Sequence, residues 1–182
     1  FLMQNRLFFL FSNLSSERCP TTAKGFLSVF TMPNADTNGR MIATMISDFV
    51  ESRPEAKFVT SFGTGGYLGL MATALAMIGN SSSGIIEAAS FELPVVNIGT
   101  RQSGRLRSPN VIDVAYGKEE IAKGIASAVD PSFKRSLIGM VNPYGSGNAA
   151  EKIVAVLKEI ELGDRLLRKR FCWIPEQSTA KN

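Results

Sequence analysis

Leu75–Gly99 reads LAMIGNSSSGIIEAASFELPVVNIG, and the fold follows from how this stretch divides. Leu75–Gly79 is a short apolar run closed by glycine, which predicts a buried strand. Ser82–Phe91 predicts a helix, opened by serines of the kind favoured at an N-cap. Pro94–Gly99 contributes Val95, Val96 and Ile98 and predicts a second buried strand.

The same alternation extends in both directions. Upstream, Phe26–Thr31 and Lys57–Ser61 are strand candidates. Between them Met41, Ile42, Met45, Ile46, Phe49 and Val50 recur at helical spacing, with Asp36 or Thr37 available as a cap. The Met41/Met45 pair on one helix face is expected in the core. A Gly-rich turn then leads into a helix from about Tyr67 to Thr73. Downstream, Asn110–Ala115 predicts a strand, and Lys118–Val129 and Ala149–Ile160 predict helices. Alternating apolar strands and helices imply a Rossmann-like parallel sheet covered on both faces. In such sheets ligands bind beyond the carboxyl ends of the strands. The loops after Thr31, Ser61, Gly79 and Gly99 are therefore where function is expected.

Composition excludes several classes of chemistry. The chain has 182 residues, 20 Lys+Arg against 16 Asp+Glu, and no histidine. Ser-His-Asp and Cys-His catalysis, and zinc sites built on histidine, are ruled out for these residues. Acid–base work by this chain must use carboxylates, Lys, Tyr or Cys. No residue cluster calls for a metal or other cofactor. Cys19 and Cys172 share no CxxC spacing and read as two reduced thiols. The basic cluster Arg165, Arg168, Lys169 and Arg170 reads as a solvated helix face, without the interleaved aromatic residues of a nucleic-acid site. The longest amino-terminal apolar run, Leu7–Phe11, is far below the roughly 20 residues of a membrane span. A cytoplasmic location, with neither nucleic acid nor membrane as partner, is expected.

Asn80-Ser-Ser-Ser-Gly-Ile-Ile-Glu87 carries hydroxyls and a glycine at a helix start, suited either to a phosphate or simply to capping the helix. Ser81, Ser82, Ser83 and Gly84 are the candidate anion contacts, Gly84 by permitting close backbone approach. Glu87 follows one turn later and can accept from a ribose diol. Asn97–Arg105 places Arg101 and Arg105 among glycines just past a strand, with Arg107 as a third cation. Asn34, Asp36 and Arg40, and Gly145, Ser146 and Asn148, belong to two further polar loops.

FTMPNADTNGR, GNSSSGIIEAASFELPVVNIGTRQSGR, NVIDV and NPYGSGNAAEKIV occur in this order between about Phe26 and Ile160. Together they resemble the C-terminal half of the hydrolysing UDP-N-acetylglucosamine 2-epimerases of the sialic- and legionaminic-acid pathways. The resemblance implies one half of a two-domain GT-B architecture. Residues 26–162 would form the UDP-binding domain and 163–182 a terminal helix and tail, with 1–25 a divergent or truncated edge. It implies that Ser81, Ser82 and Arg101 contact the diphosphate and Glu87 the ribose, with Asn34, Asp36, Arg40, Gly145, Ser146 and Asn148 lining the cleft. The expected partners are UDP or a UDP-N-acetylhexosamine and an N-terminal half-domain, and homo-oligomerisation is left open. The family's catalytic carboxylates lie in that other half, and its junction histidine has no counterpart here, so little turnover is expected of the chain alone. A GT-B glycosyltransferase half and a non-catalytic nucleotide-binding or assembly module remain alternatives.

Overall fold

The computed structural model describes residues 7–12, 26–33 and 38–168. Asn34, Asp36, Thr37, Cys19, Cys172 and residues 169–182 lie outside the described residues. Six strands form one sheet: β1 Leu7–Ser12, β2 Phe26–Thr31, β3 Ala56–Val59, β4 Ala76–Gly79, β5 Val95–Ile98 and β6 Val111–Val114. Their spatial order is β3-β2-β1-β4-β5-β6. β2 and β3 pair in parallel, as do β4, β5 and β6. The parallel α/β fold expected from the alternation is present over these five strands.

β1 departs from the expectation. The run Leu7–Phe11, notable in the sequence only as too short for a membrane, belongs to a strand between β2 and β4. It pairs antiparallel to both, with Phe9 opposite Val29 on one side and Met77 on the other. A strand with neighbours on both edges and no loop-like polar alternation reads as a plain apolar run, so its place was not visible locally.

The helices are α1 Gly39–Glu51, α2 Gly63–Thr73, α3 Ser83–Ile86, α4 Lys118–Ala128, α5 Pro131–Ser136, α6 Ala149–Glu159 and α7 Asp164–Leu167. Side chains alternate across β4 and β5 and so build two core layers. Met77 and Val95 meet Met71 of α2 and the Ala74 that follows it, together with Ala88 and Leu93. Ala76, Ile78, Val96 and Ile98 face the other way, onto Ile121 and Ala128 of α4. Every residue of β4 and β5 is buried, including the polar Asn97, whose amide donates to Asp113 at 2.6 Å.

α1 buries Ile42 and Ile46, while Met41 and Met45 remain 45% and 40% exposed. The expectation that the methionine pair is core is corrected. Both pairs have the same spacing, and the helix rolls its branched aliphatic side toward the sheet. The N-cap of α1 is Asn38; the expected caps, Asp36 and Thr37, lie outside the described residues.

The predicted helix 82–91 is broken as well. α3 has four residues and is followed by a 3-10 turn over Ala88–Phe91. Glu92 then adopts φ +50, and its carboxylate accepts from the Gly139 N–H at 2.7 Å. That tether and the following Pro94 end the segment after Phe91. α5, missed in the sequence, opens on Asp130, whose carboxylate accepts from the Ser132 N–H at 2.7 Å.

The chain divides into two compact units, one ending at Tyr144 and the other starting at Gly145. The second unit contains α6 and α7. In it Arg168 reaches Asp164 at 3.4 Å, one helical turn away. Among the described residues no helix is long and apolar enough to cross a membrane.

Candidate functional site

An open cleft of about 550 Å³ lies at the carboxyl ends of β2, β3, β4 and β5. Each strand delivers its own loop: Thr31 and Met32, then Thr60–Thr64, then Asn80, Ser81 and Ser83, then Arg101. Because β1 separates β2 and β4, the connections leave the sheet in opposite directions there, β2 toward β3 and β4 toward β5. That divergence opens a crevice between the loops, as it does in doubly wound sheets generally. The volume falls within the range of small-molecule sites.

Ser81, Ser83, Glu87 and Arg101 of the sequence-derived set line this cleft together. The Ser81 hydroxyl accepts from the Ser83 N–H at 3.3 Å, and the Ser83 hydroxyl donates to the Glu87 carboxylate. Arg101 donates to the Asn80 carbonyl at 3.2 Å, and the buried Gln102 donates to the same oxygen at 2.7 Å. This double anchorage fixes the arginine loop against the end of β4. The guanidinium carries the positive charge of the cleft wall and the Glu87 carboxylate its negative charge, with hydroxyls between them. Such a set suits a ligand that is anionic at one end and a polyol beside it. With only four residues in α3, the anion attraction rests on Arg101 and the hydroxyls rather than on a helix dipole.

The remaining candidates are placed otherwise. Ser82 is the N-cap residue of α3 and is not part of the cleft lining. Gly84 is buried and faces the sheet: a Cβ there would stand 2.9 Å from Val95 Cγ1. Its missing side chain is a packing requirement. Arg40 is exposed in the first turn of α1, outside the cleft lining. Gly145, Ser146 and Asn148 belong to the second unit, where Ser146 donates to the Asn148 side chain at 3.2 Å. Arg107, counted among the loop cations, pairs with Asp113 at 3.1 Å and donates to the Gln102 and Arg105 carbonyls. It braces the loop.

Two contributors were missed. The Thr60–Thr64 loop and Tyr67 supply a large part of the wall. The strand-end rule had marked the loop after Ser61 but named none of its residues. Burial pushes the Tyr67 phenol above its ordinary value of 10.0; a hydrogen bond with Ser83 opposes this and the nearby Glu87 charge adds to it. Asn142 is a strut behind the site, donating to the Ile86 carbonyl at 2.9 Å and to the Ser90 hydroxyl at 2.7 Å. Among the described residues no group of three or more Cys, Asp or Glu is placed to hold a metal ion.

The fold and cleft define a Rossmann-like α/β domain with an open cleft at the carboxyl edge of the sheet. The chain belongs to the UDP-N-acetylglucosamine 2-epimerase family, whose model matches residues 17–158. It is 40% identical over 138 residues to a hydrolysing UDP-N,N'-diacetylbacillosamine 2-epimerase of Legionella pneumophila, covering 75% of this chain and 35% of that one. To a GDP/UDP-N,N'-diacetylbacillosamine 2-epimerase of Campylobacter jejuni it is 39% identical over 152 residues, covering 82% and 39%. The crystal structure of the Methanocaldococcus jannaschii UDP-GlcNAc 2-epimerase in complex with UDP-GlcNAc and UDP superposes with a TM-score of 0.54 at 21% identity. That match covers 69% of this chain and 34% of the other. The chain thus spans between a third and two-fifths of the length of these relatives.

Proposed function

We propose that this chain is the UDP-holding domain of a hydrolysing UDP-N-acetylhexosamine 2-epimerase of cytoplasmic amino-sugar metabolism. The observation that carries the reading is the meeting of Ser81, Ser83, Glu87 and Arg101 in one cleft, because these residues come from the motifs that mark the family. Arg101 neutralises the diphosphate, the Ser81 hydroxyl donates to it, the Ser83 hydroxyl holds the Glu87 carboxylate, and Glu87 accepts from the ribose hydroxyls. In the family reaction UDP leaves by anti elimination, giving a 2-acetamidoglucal. Syn addition of water then yields the free C2-inverted sugar. On this reading the chain's own residues hold the leaving group and stabilise the negative charge that builds on it as the glycosidic C–O bond breaks. The base that removes the C2 proton and the group that handles water come from a further domain facing the cleft.

Calorimetry with UDP tests the proposal. The 182-residue chain should bind UDP, and Arg101→Ala should weaken binding about 10- to 100-fold through loss of a charge-assisted contact. An absence of UDP binding in the wild-type chain would favour a non-catalytic assembly module instead. Release of UDP from UDP-GlcNAc at an ordinary enzymatic rate by this chain alone would refute the assignment of the chemistry to another domain.

A further inference from the structure

We propose that Arg107 is a positioning residue for the diphosphate grip: it clamps the loop that carries Arg101 onto the sheet and so holds the cleft arginine in place; this rests on the UDP reading above. Arg101 lines the cleft, whereas Arg107, later in the same loop, is not part of that lining. The clamp is rooted in two neighbouring strands. Asn97 of β5 and Asp113 of β6 stand opposite each other in the parallel register, and the buried Asn97 amide donates to Asp113 Oδ1 at 2.6 Å. That bond fixes the carboxylate from the sheet side. From the loop side the Arg107 guanidinium meets it along one edge, Nε donating to Oδ2 at 3.1 Å and Nη2 to Oδ1 at 3.4 Å. Its third nitrogen, Nη1, donates to the carbonyls of Gln102 at 2.8 Å and Arg105 at 2.9 Å.

The Gln102 carbonyl is where this frame reaches Arg101, because Gln102 is the next residue along the chain. Gln102 is buried, and its side-chain amide donates to the Asn80 carbonyl at 2.7 Å, the same oxygen that accepts from the Arg101 guanidinium at 3.2 Å. Its side chain is thus tied to the end of β4 and its carbonyl, through Arg107, to β6. Arg101 then reaches the cleft from a backbone held on two strands. An exposed ion pair by itself contributes little to stability, and the Arg107 and Asp113 side chains are 27% and 53% exposed. What this pair contributes is the backbone position it enforces. An arginine set before the ligand arrives loses less freedom on binding a diphosphate. The planar fork of arginine spans a carboxylate on one edge and backbone carbonyls beyond it, which the point charge of a lysine ammonium does not. Charge and position can therefore be separated by one substitution.

The test is calorimetry with UDP on the full chain, with uridine binding followed by ligand-observed NMR as the phosphate-free comparison. Arg107→Lys keeps the charge and loses the fork. It and Arg107→Ala should each weaken UDP binding about 3- to 10-fold, a part of the effect of removing Arg101 itself, and leave uridine binding unchanged. In an Arg101→Ala background Arg107→Lys should weaken UDP binding no further, because the arginine it positions is gone. Asp113→Asn preserves shape, removes the carboxylate charge from the far side of the clamp and should reproduce the selective loss. UDP binding retained in Arg107→Lys would overturn the inference and leave Arg107 a source of positive charge. An equal loss of UDP and uridine would overturn it by making Arg107 structural. A fully additive loss in the Arg101→Ala background would overturn it by making Arg107 a direct phosphate contact. Each of these leaves the UDP reading standing, whereas wild type that binds no UDP removes that reading and the inference together.

Discussion

Gly84→Ala separates packing from ligand approach at the most conspicuous glycine of the site. The added Cβ would stand 2.9 Å from Val95 Cγ1 and 3.6 Å from Met77 Cε. Carbon atoms attract best at about 3.5–4.0 Å, so the methionine contact is ordinary and the valine contact is repulsive. Val95 has little means of yielding. It is β-branched and 3% exposed, and it is paired with Met77 on one side and Val111 on the other. The strain must therefore move α3 away from β5. Overpacking of this kind costs about 1–3 kcal/mol, offset by about 0.5–1 kcal/mol from placing alanine rather than glycine in a helix. The middle of each range leaves a net loss of about 1 kcal/mol, which lowers Tm by roughly 2–4 °C for a chain of this size. Urea unfolding followed by circular dichroism measures it. Val95→Ala removes the opposing methyl, so in that background Gly84→Ala should cost nothing or fill part of the hole. The coupling in the double-mutant cycle should equal the original penalty. A Gly84→Ala protein as stable as wild type, or a penalty unchanged in the Val95→Ala background, would refute the packing account.

Two further outcomes follow from groups on either side of the same sheet. In a spectrophotometric titration of the three tyrosines, Tyr116 should ionise below pH 10, because its hydrogen bonds with Thr100 favour the phenolate, and Tyr67 above it, because burial disfavours its charge. The folded-state preference for neutral Tyr67 stabilises the protein below the unfolded value of about 10 and is lost as pH rises through the raised folded value; Tyr67→Phe should delete the late phase alone, and a titration in which it deletes an early phase would contradict this. Asn110 is fully buried and donates to the Leu93 carbonyl at 2.7 Å, so Asn110→Ala should lower stability by about 1–3 kcal/mol, read as a lower urea midpoint at constant slope.

Much of this architecture was legible in the chain. Leu75–Gly79 and Pro94–Gly99 are strands because such predominantly apolar runs survive only where both faces are covered, and β4 and β5 are covered on both. α4 follows from its periodic apolar residues. The rule that ligands gather at strand carboxyl ends marked the right edge of the sheet, and the serine, glutamate and first arginine loops do converge there. Pattern failed where two solutions share one period. Met41/Met45 and Ile42/Ile46 have the same helical spacing, and only contact with the sheet chose the second pair. Length failed at Ser82–Phe91, where the α-helix ends at Ile86, whose carbonyl accepts from the distant Asn142.

The sequence by itself determined strands β2 to β6 and helices α1, α2, α4 and α6, the family, and the chemical kinds of side chain available at the cleft. Those properties are local: they depend on residue type, spacing and order. Tertiary structure alone decided that Leu7–Ser12 runs antiparallel between β2 and β4, and that Gly84 makes room for Val95. It also committed Arg107 to Asp113 while leaving Arg101 on the cleft wall, and brought Tyr67 to Ser83 and Glu87 from another helix. Each of these is set by which distant segment lies opposite, and spacing along one strand or helix carries no information about its partner across space.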